Sequence, residues 1–556
     1  MKSIEQLRRD AKALRRSYEA LDPRALARIK NYPPRTDDTP LKHADFLHVI
    51  ALENSFASWP QLAWAAETIG LDRAARQQRL KIAIAHGQNW VIDRLLSETP
   101  DLADGQFDLE VALLRRSAVA EALADDPSRA TRVFGVRRPI LILAFSKYFQ
   151  THPELTDDMI AVAEMLVSHG ADVNDSYPHL VGDDHRLPAL YGAIGHANNM
   201  VLGRWLLEKG ANPNDYESLY HATELGHHEG LKMLLEHGAD PKGTNAALRA
   251  MDFHDVEAVK MLLDAGALAD EVNGTHVGGE RPWVVPAMHQ AARRTCGREM
   301  INVLLDAGAD AHRAFEGVTP YEYARIFGNA ELAAALESRG AATPLNGVVQ
   351  HLADIADGKE TAGVFLDPEK MPEAARNIVR MILHLPGKLD HVKRLVAAGA
   401  EYDRPDAEGL TPVQLAGWEG LPEVLSYFLS LSPDLGHVNG YGGTLLSTII
   451  HGSENAPDRA ARDYVGCLEL ALQEGVALPR RAIELAGDPN VAAFLADWSE
   501  AYPGQVVEVK VNSGDVVAAG TPIAMLAPTA DEAADTLGVI YVSPTDGKRI
   551  RPGMEA

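Results

Sequence analysis

From position 217 to 240 the chain reads ESLYHATELGHHEGLKMLLEHGAD, with apolar and polar positions recurring at a helical period on either side of one break. Leu231, Leu234 and Leu235 repeat at three- and four-residue spacing, which puts them on one helix face. Ala222, in the preceding stretch, is small where two helices must approach closely. Gly226 stands where the first helix must end and reverse, because glycine accepts the left-handed conformation needed there. His227 follows as a turn residue, and Gly238-Ala239 stops the second helix. The pattern predicts two short helices joined by a turn, and one such pair leaves its apolar face open.

Copies of the pattern run along the chain. The Gly-Ala stop recurs at Gly170, Gly210, Gly238, Gly266, Gly308, Gly340 and Gly399, in steps of 40, 28, 28, 42, 32 and 59 residues. Each stop follows an apolar run, such as Trp205-Leu206-Leu207, Met261-Leu262-Leu263 or Val303-Leu304-Leu305. Thr319-Pro320-Tyr321 and Thr411-Pro412-Val413 stand at predicted helix starts, and Ala287-Met288-His289-Gln290-Ala291-Ala292 is close to the same start. These elements resemble the ankyrin-repeat family, whose unit is a helix–turn–helix near 33 residues opened by a Thr-Pro-Leu-His-like segment. The resemblance implies a mainly α protein, an α-solenoid of stacked helix pairs. The 28-residue units are too short for a full β-hairpin finger. Insertions at 177–186 and 273–284 fill the longer steps, and a degraded unit around 344–359 lies in the longest.

Residues 1–70 are expected to form an N-terminal helical cap. Ile4, Leu7, Ala11 and Leu14 share one face, while Arg8, Arg9, Lys12, Arg15 and Arg16 read as a solvated face. Residues 41–62 resemble a helical segment that precedes bacterial ankyrin arrays. Ser58 is placed to cap a helix starting near Pro60, with Trp59 packing at its start. The array is then read as a first block, 71–340, and a second, 341–498. From 503 the period changes to two. Val506 to Val511 predicts a strand and Asn512-Ser513-Gly514-Asp515 a hairpin turn. Residues 503–527 resemble half of a biotinyl/lipoyl-like hammerhead. The whole of 503–556 resembles part of the periplasmic adaptor (membrane fusion) proteins of bacteriocin-type peptide secretion. That predicts a small C-terminal β appendage, hammerhead- or barrel-like. No lysine stands at the hairpin tip where a lipoyl or biotinyl group would be attached.

Composition narrows the classes. A hydrophobic content of 46% supports a folded chain, and only 6% aromatic residues suits helices built on Ala and Leu. A formal charge of −25 repels phosphate backbones and anionic membranes and favours a basic partner. Two cysteines, Cys296 and Cys467, make neither a disulfide framework nor a metal motif. The first twenty residues lack the apolar core of a signal peptide, and no apolar run reaches membrane-spanning length. A cytoplasmic monomer is expected.

No catalytic constellation stands out. His227-His228-Glu229 lacks the spacing of a zinc motif, Gly442-Gly443-Thr444 lacks the lysine of a phosphate loop, and no Gly-x-Ser-x-Gly elbow occurs. We therefore expect no enzyme, cofactor or metal. The ankyrin resemblance instead implies partner-binding positions: Tyr191, His221, Glu224, Arg249, Asp252, Phe253, Arg293, Arg294, Tyr323, Phe327 and Trp418. Leu225 and Ile326 occupy equivalent positions but read as packing between repeats. The function implied is a scaffold that holds a protein or peptide on its concave face. The alternative is an accessory component of peptide secretion acting through 503–556.

Overall fold

All seven predicted stop glycines adopt left-handed backbone, with φ between +71° at Gly340 and +105° at Gly399. Any residue with a Cβ is strained there, so each glycine ends one helix and releases the chain toward the next repeat. The computed structural model describes residues 2, 4–32, 41, 43–56, 59–68, 70–179, 185–274, 284–359, 363, 365–456, 459–479, 482–483, 486–501, 506–509 and 524–526. They form two compact units, one of residues 71–376 and one that combines 1–70 with 377–556.

In the 71–376 unit, first helices stack on first helices: Ala246–Asp252, Ala287–Arg293, Pro320–Phe327 and Gly347–Ala356 pack in succession. Second helices do the same, Thr156–Ser168 on Met200–Glu208 on Glu229–Glu236, and Val256–Asp264 on Arg298–Asp306 on Ala330–Ser338. Leu231 and Leu234 are buried, as are Leu262, Leu304 and Leu336 at matching places. The predicted start at Thr319 is a reciprocal cap. Its hydroxyl accepts from the Glu322 N–H at 3.3 Å, and Glu322 accepts from the Thr319 N–H at 2.7 Å. His289 is fully buried and donates from Nε2 to the Val318 carbonyl (2.9 Å), and burial pushes its pKa down to about 4. The insertion at 177–186 is flanked by two short antiparallel strands, Ser176–Pro178 and Arg186–Pro188.

Two predicted contact residues belong to this core instead. Tyr323 and Phe327 are both 0% exposed, with ring centroids 4.4 Å apart. Tyr323 donates its hydroxyl to the Ala374 carbonyl at 3.1 Å and packs its ring on His289. The chain that follows Gly347–Ala356 covers the surface these rings were expected to present.

Successive repeats are also tied by side-chain amides. Asn174 donates to the Gly210 carbonyl (3.3 Å) and accepts from the Asn212 N–H (2.7 Å). Asn214 repeats this with Gly238 (3.3 Å) and Asp240 (2.7 Å). Asp270 stands at the same offset from its own stop glycine, Gly266. It accepts from the Asp310 N–H, but a carboxylate has no proton to donate onward. Its Oδ1 is buried without a hydrogen-bond partner among the described residues, and burial holds its pKa above the usual carboxylate range.

In the other unit the two ends of the chain share one core. Ile4–Glu19 packs on His43–Glu53, and Pro489–Ala501 packs on His43–Glu53 and Trp59–Thr68. Leu7, Leu14, Phe46, Leu62 and Ala496 meet in a single apolar cluster. Arg28 clamps Glu53 through two parallel hydrogen bonds of 2.7 Å. Helices Ile378–Ile382, Leu389–Ala397, Pro412–Trp418, Pro422–Ser430, Leu445–Asn455 and Tyr464–Gln473 follow, and Gln414 reaches back to the Thr411 N–H at 3.3 Å. Ser58 lies outside the described residues, as do most of 503–556. Of the expected β appendage, the described residues hold two antiparallel strands, Val506–Val509 and Ala524–Leu526. A hammerhead or barrel is not supported.

Two outcomes follow. Asp270→Asn supplies the missing donor toward Gly308 and is expected to add about 0.5–1.5 kcal/mol of stability. The raised pKa sets the sign with pH. Asp270 contributes stability that is complete below the ordinary aspartate value and lost as pH rises through its folded value, so the gain of the variant is largest at neutral pH. Urea midpoints near pH 7 and pH 4 test this, and no gain at neutral pH would refute it. Ala496→Glu places a charge in the shared core. Hydrogen exchange should accelerate in His43–Glu53 as well as Pro489–Ala501, while Arg298–Asp306 stays protected. Acceleration confined to the last helix would contradict a common core.

Candidate functional site

Eight of the predicted residues fall on one face, along the ends of four successive first helices. The repeat places them there. Tyr191, His221 and Arg249 occupy one position of successive units, and Glu224, Asp252 and the Arg293-Arg294 pair precede the turn. One chain of hydrogen bonds and ion pairs then joins units that lie far apart in sequence. His185 contacts Glu217 at 2.6 Å, and Glu217 lies 3.4 Å from His221 Nε2. His221 Nδ1 donates to Glu224 at 3.0 Å, and Arg249 Nε donates to the other oxygen of Glu224 at 2.8 Å. Arg249 also donates to Asp252 at 3.0 Å. Asp252 in turn accepts from Gln290 (2.5 Å) and Arg294 (2.7 Å), and Arg293 donates to the Gln290 side-chain carbonyl at 2.5 Å.

Burial sets the electrostatics. Glu217 is only 2% exposed, and a carboxylate so placed needs a cation. Burial alone would push the His221 pKa down, but the facing Glu217 carboxylate and the hydrogen bond His221 donates to Glu224 outweigh it and raise it to about 9. His221 is therefore an imidazolium at neutral pH. Burial raises the Glu224 pKa, yet His221 and Arg249 together bring it below the usual range. Asp215, at the start of the same first helix, is pushed up to about 6 by burial, against hydrogen bonds from Ser218 and Glu217.

Aromatic rings line the same face. The Tyr191 and His221 rings lie 4.7 Å apart, and Tyr191 meets Phe145 edge-on at 5.8 Å. Arg137 lies over both Phe145 (4.4 Å) and Tyr177 (4.5 Å). Phe253 is 41% exposed, with Arg249 over its ring at 5.1 Å. Trp418 belongs to the other unit, where its ring packs on His451 at 5.1 Å.

The sequence reading missed His185, Glu217, Tyr177 and Arg137. Glu217 had a signal: it precedes His221 by one helical turn, a spacing that pairs an acid with a cation. Arg137 and Tyr177 had none, because their contact bridges two repeats.

This arrangement can recognise but is poorly suited to proton transfer. An imidazolium between two carboxylates has no lone pair to act as a base at neutral pH. Both cysteines are buried with pKa values pushed up to about 12, so neither is a ready thiolate. Among the described residues no cluster of three metal-ligating side chains occurs, and no helix is long and apolar enough to cross a membrane.

His221→Ala removes one of the two imidazoles that face the buried Glu217 and should cost about 1–3 kcal/mol. A raised histidine pKa also fixes the sign with pH. The His221 contribution is complete below the ordinary value of 6.5 and is lost as pH rises through about 9. Denaturant midpoints should therefore fall between neutral and alkaline pH in the wild type, and fall less in His221→Ala. Identical pH profiles for the two proteins would remove His221 from this role.

Comparison with known proteins adds to this geometry. A family model described as ankyrin repeats (three copies) matches residues 190–275. No curated protein matches this chain. Among solved structures, the human ASB11 ankyrin repeat domain is 20% identical, covering 46% of this chain and 96% of that one with a TM-score of 0.20. The ankyrin repeat domain of Bcl-3, a member of the IkappaB family, is 20% identical, covering 42% and 97% with a TM-score of 0.31. An ankyrin repeat domain from Acinetobacter baumannii AYE is 26% identical, covering 34% and 98% with a TM-score of 0.26. The stretch that carries Tyr191, His221, Glu224, Arg249, Asp252 and Phe253 is thus built of ankyrin repeats.

Proposed function

We propose that this chain is a non-catalytic scaffold that binds a protein or peptide segment across the first-helix face between Tyr191 and Arg294. One observation carries this reading. A row of His, Glu, Arg and Asp side chains is tied together from His221 to Arg294, with the Tyr191 ring stacked at its start and the partly exposed Phe253 ring beside Arg249. Aromatic and arginine side chains dominate binding hot spots. Their mutual hydrogen bonds hold them in place before a partner arrives, which lowers the entropy lost on binding. The rival reading, secretion through 503–556, has its sequence resemblance and no structural observation in its favour.

The test is a photo-crosslinking residue placed at Phe253 of the full-length chain, with a control at Glu257 on the adjacent second helix. Capture from native lysate should yield a protein crosslinked at 253 and not at 257, and the band should fade with Arg293→Ala/Arg294→Ala. Equal crosslinking at both positions, or indifference to the double substitution, would defeat the proposal.

A further inference from the structure

The inserted hairpin has two faces. Tyr177 lies on one, packed on Phe145 with Arg137 over its ring. Ser176, Arg186 and Pro188 share the other, because side chains alternate along a strand and Ser176 pairs with Pro188 across the hairpin. Between this second face and the next repeat lies an open hollow of about 190 Å³. Val173, Pro188 and Leu190 give it an apolar wall, and Arg186 and Asp215 are its charged lining. The remainder is neutral, the Ser176 hydroxyl and the Asn174 and Asn212 amides.

Neither charge is neutralised. Among the described residues, Arg186 and Asp215 form no ion pair with each other or with any other group. Arg186 donates from Nε to the Ser176 hydroxyl at 2.8 Å and from Nη2 to the Ser176 carbonyl, which leaves Nη1 without a partner among the described residues. Asp215 Oδ1 accepts the N–H groups of Glu217 (3.0 Å) and Ser218 (2.8 Å), and Oδ2 accepts the Ser218 hydroxyl at 2.6 Å. A carboxylate offers about four lone-pair positions, so Oδ2 keeps one open. The upward push of burial on the Asp215 pKa, to about 6, fits a carboxylate that lacks a cation.

We propose that this hollow binds a free amino acid, with its carboxylate on Arg186 Nη1, its ammonium on Asp215 Oδ2, and an apolar side chain against Val173, Pro188 and Leu190. The two charges select the class. A lone carboxylate or phosphate satisfies Arg186 but faces Asp215, and a lone ammonium satisfies Asp215 but faces Arg186. A zwitterion satisfies both, through charge-assisted hydrogen bonds about twice as strong as neutral ones. Size selects further. The hollow holds the liquid volume of roughly six waters and falls below the range of drug-sized sites, which suits one small molecule. This site is separate from the contact face between Tyr191 and Arg294 and does not rest on the scaffold reading.

The test measures thermal midpoints and calorimetric titrations of the full-length protein with glycine, valine and leucine. Two blocked analogues accompany them: N-acetylvaline lacks the ammonium and valinamide lacks the carboxylate. Valine or leucine should raise the midpoint and bind more tightly than glycine, and each blocked analogue should bind about tenfold more weakly or worse. Arg186→Gln should weaken valine while leaving valinamide unchanged, and Asp215→Asn should weaken valine while leaving N-acetylvaline unchanged. Arg186 is exposed, and Asp215→Asn keeps an acceptor for the Glu217 and Ser218 N–H groups, so both variants should fold. Their own midpoints check this, and Arg186→Gln alone decides the matter if Asp215→Asn is unstable. No response to any of the three amino acids at millimolar concentration would overturn the proposal. So would blocked analogues or glycine that bind as tightly as valine, or valine binding that is unchanged in Arg186→Gln. The scaffold reading survives each of these failures, because its partner lies on the other face.

Discussion

A pair of short helices leaves one apolar face uncovered, and the rest of this fold depends on the next pair covering it. Leu231 and Leu234 are buried because the neighbouring repeats stack on them, not because their own helix encloses them. That requirement fixes the rest of each unit. Every second helix must stop and return to the same side, so each stop takes left-handed backbone at a glycine. Every first helix must begin at the same height, so Thr319 is capped reciprocally by Glu322. The ends of the first helices then line up, and side chains of successive repeats become neighbours.

Alignment of that kind makes a polar network possible without a dedicated pocket. Glu217 is buried by the stack itself, and burial forces a cation beside it; His221 supplies it, and Glu224 and Arg249 pass the pairing to the next unit. Charges alternate from repeat to repeat until the arginines at 293 and 294. The same stacking exposes its imperfections. Where Asn174 and Asn214 stitch one stop to the next, Asp270 offers an acceptor and lacks the proton, so one junction of the series is left with a buried carboxylate oxygen. The residue type at one position thus decides how tightly a junction holds.

Covering apolar faces also explains the unit built from the two ends of the chain. The amphipathic helix of Leu7, Ala11 and Leu14 packs on His43–Glu53, and the core they share is completed by Ala496 from the last helix. The chain leaves this unit at residue 70 and returns to it at 377. Stability of the first helices is therefore tied to the integrity of the last.

The sequence by itself determined what depends on local period: the two-helix unit, the glycine stops, the Thr-Pro helix starts, the apolar face of Ile4–Glu19, and the recurring first-helix positions of Tyr191, His221 and Arg249. A helix face is set by spacing along one segment, so these features are legible residue by residue. Eight of the eleven expected contact residues share one face for that reason. What only the tertiary structure decided depends on which segment comes to lie against which. Tyr323 and Phe327 hold the contact positions of their repeat, yet both are buried and Tyr323 reaches the Ala374 carbonyl, and no periodicity within 320–327 reports that. His185 reaches Glu217 from an inserted finger, and Arg137 reaches Tyr177 across forty residues, because stacking brings separate loops together. The pairing of His43–Glu53 and Trp59–Thr68 with a helix near the far end follows the same rule. An apolar stripe declares that it needs a partner, and only the folded chain selects which one.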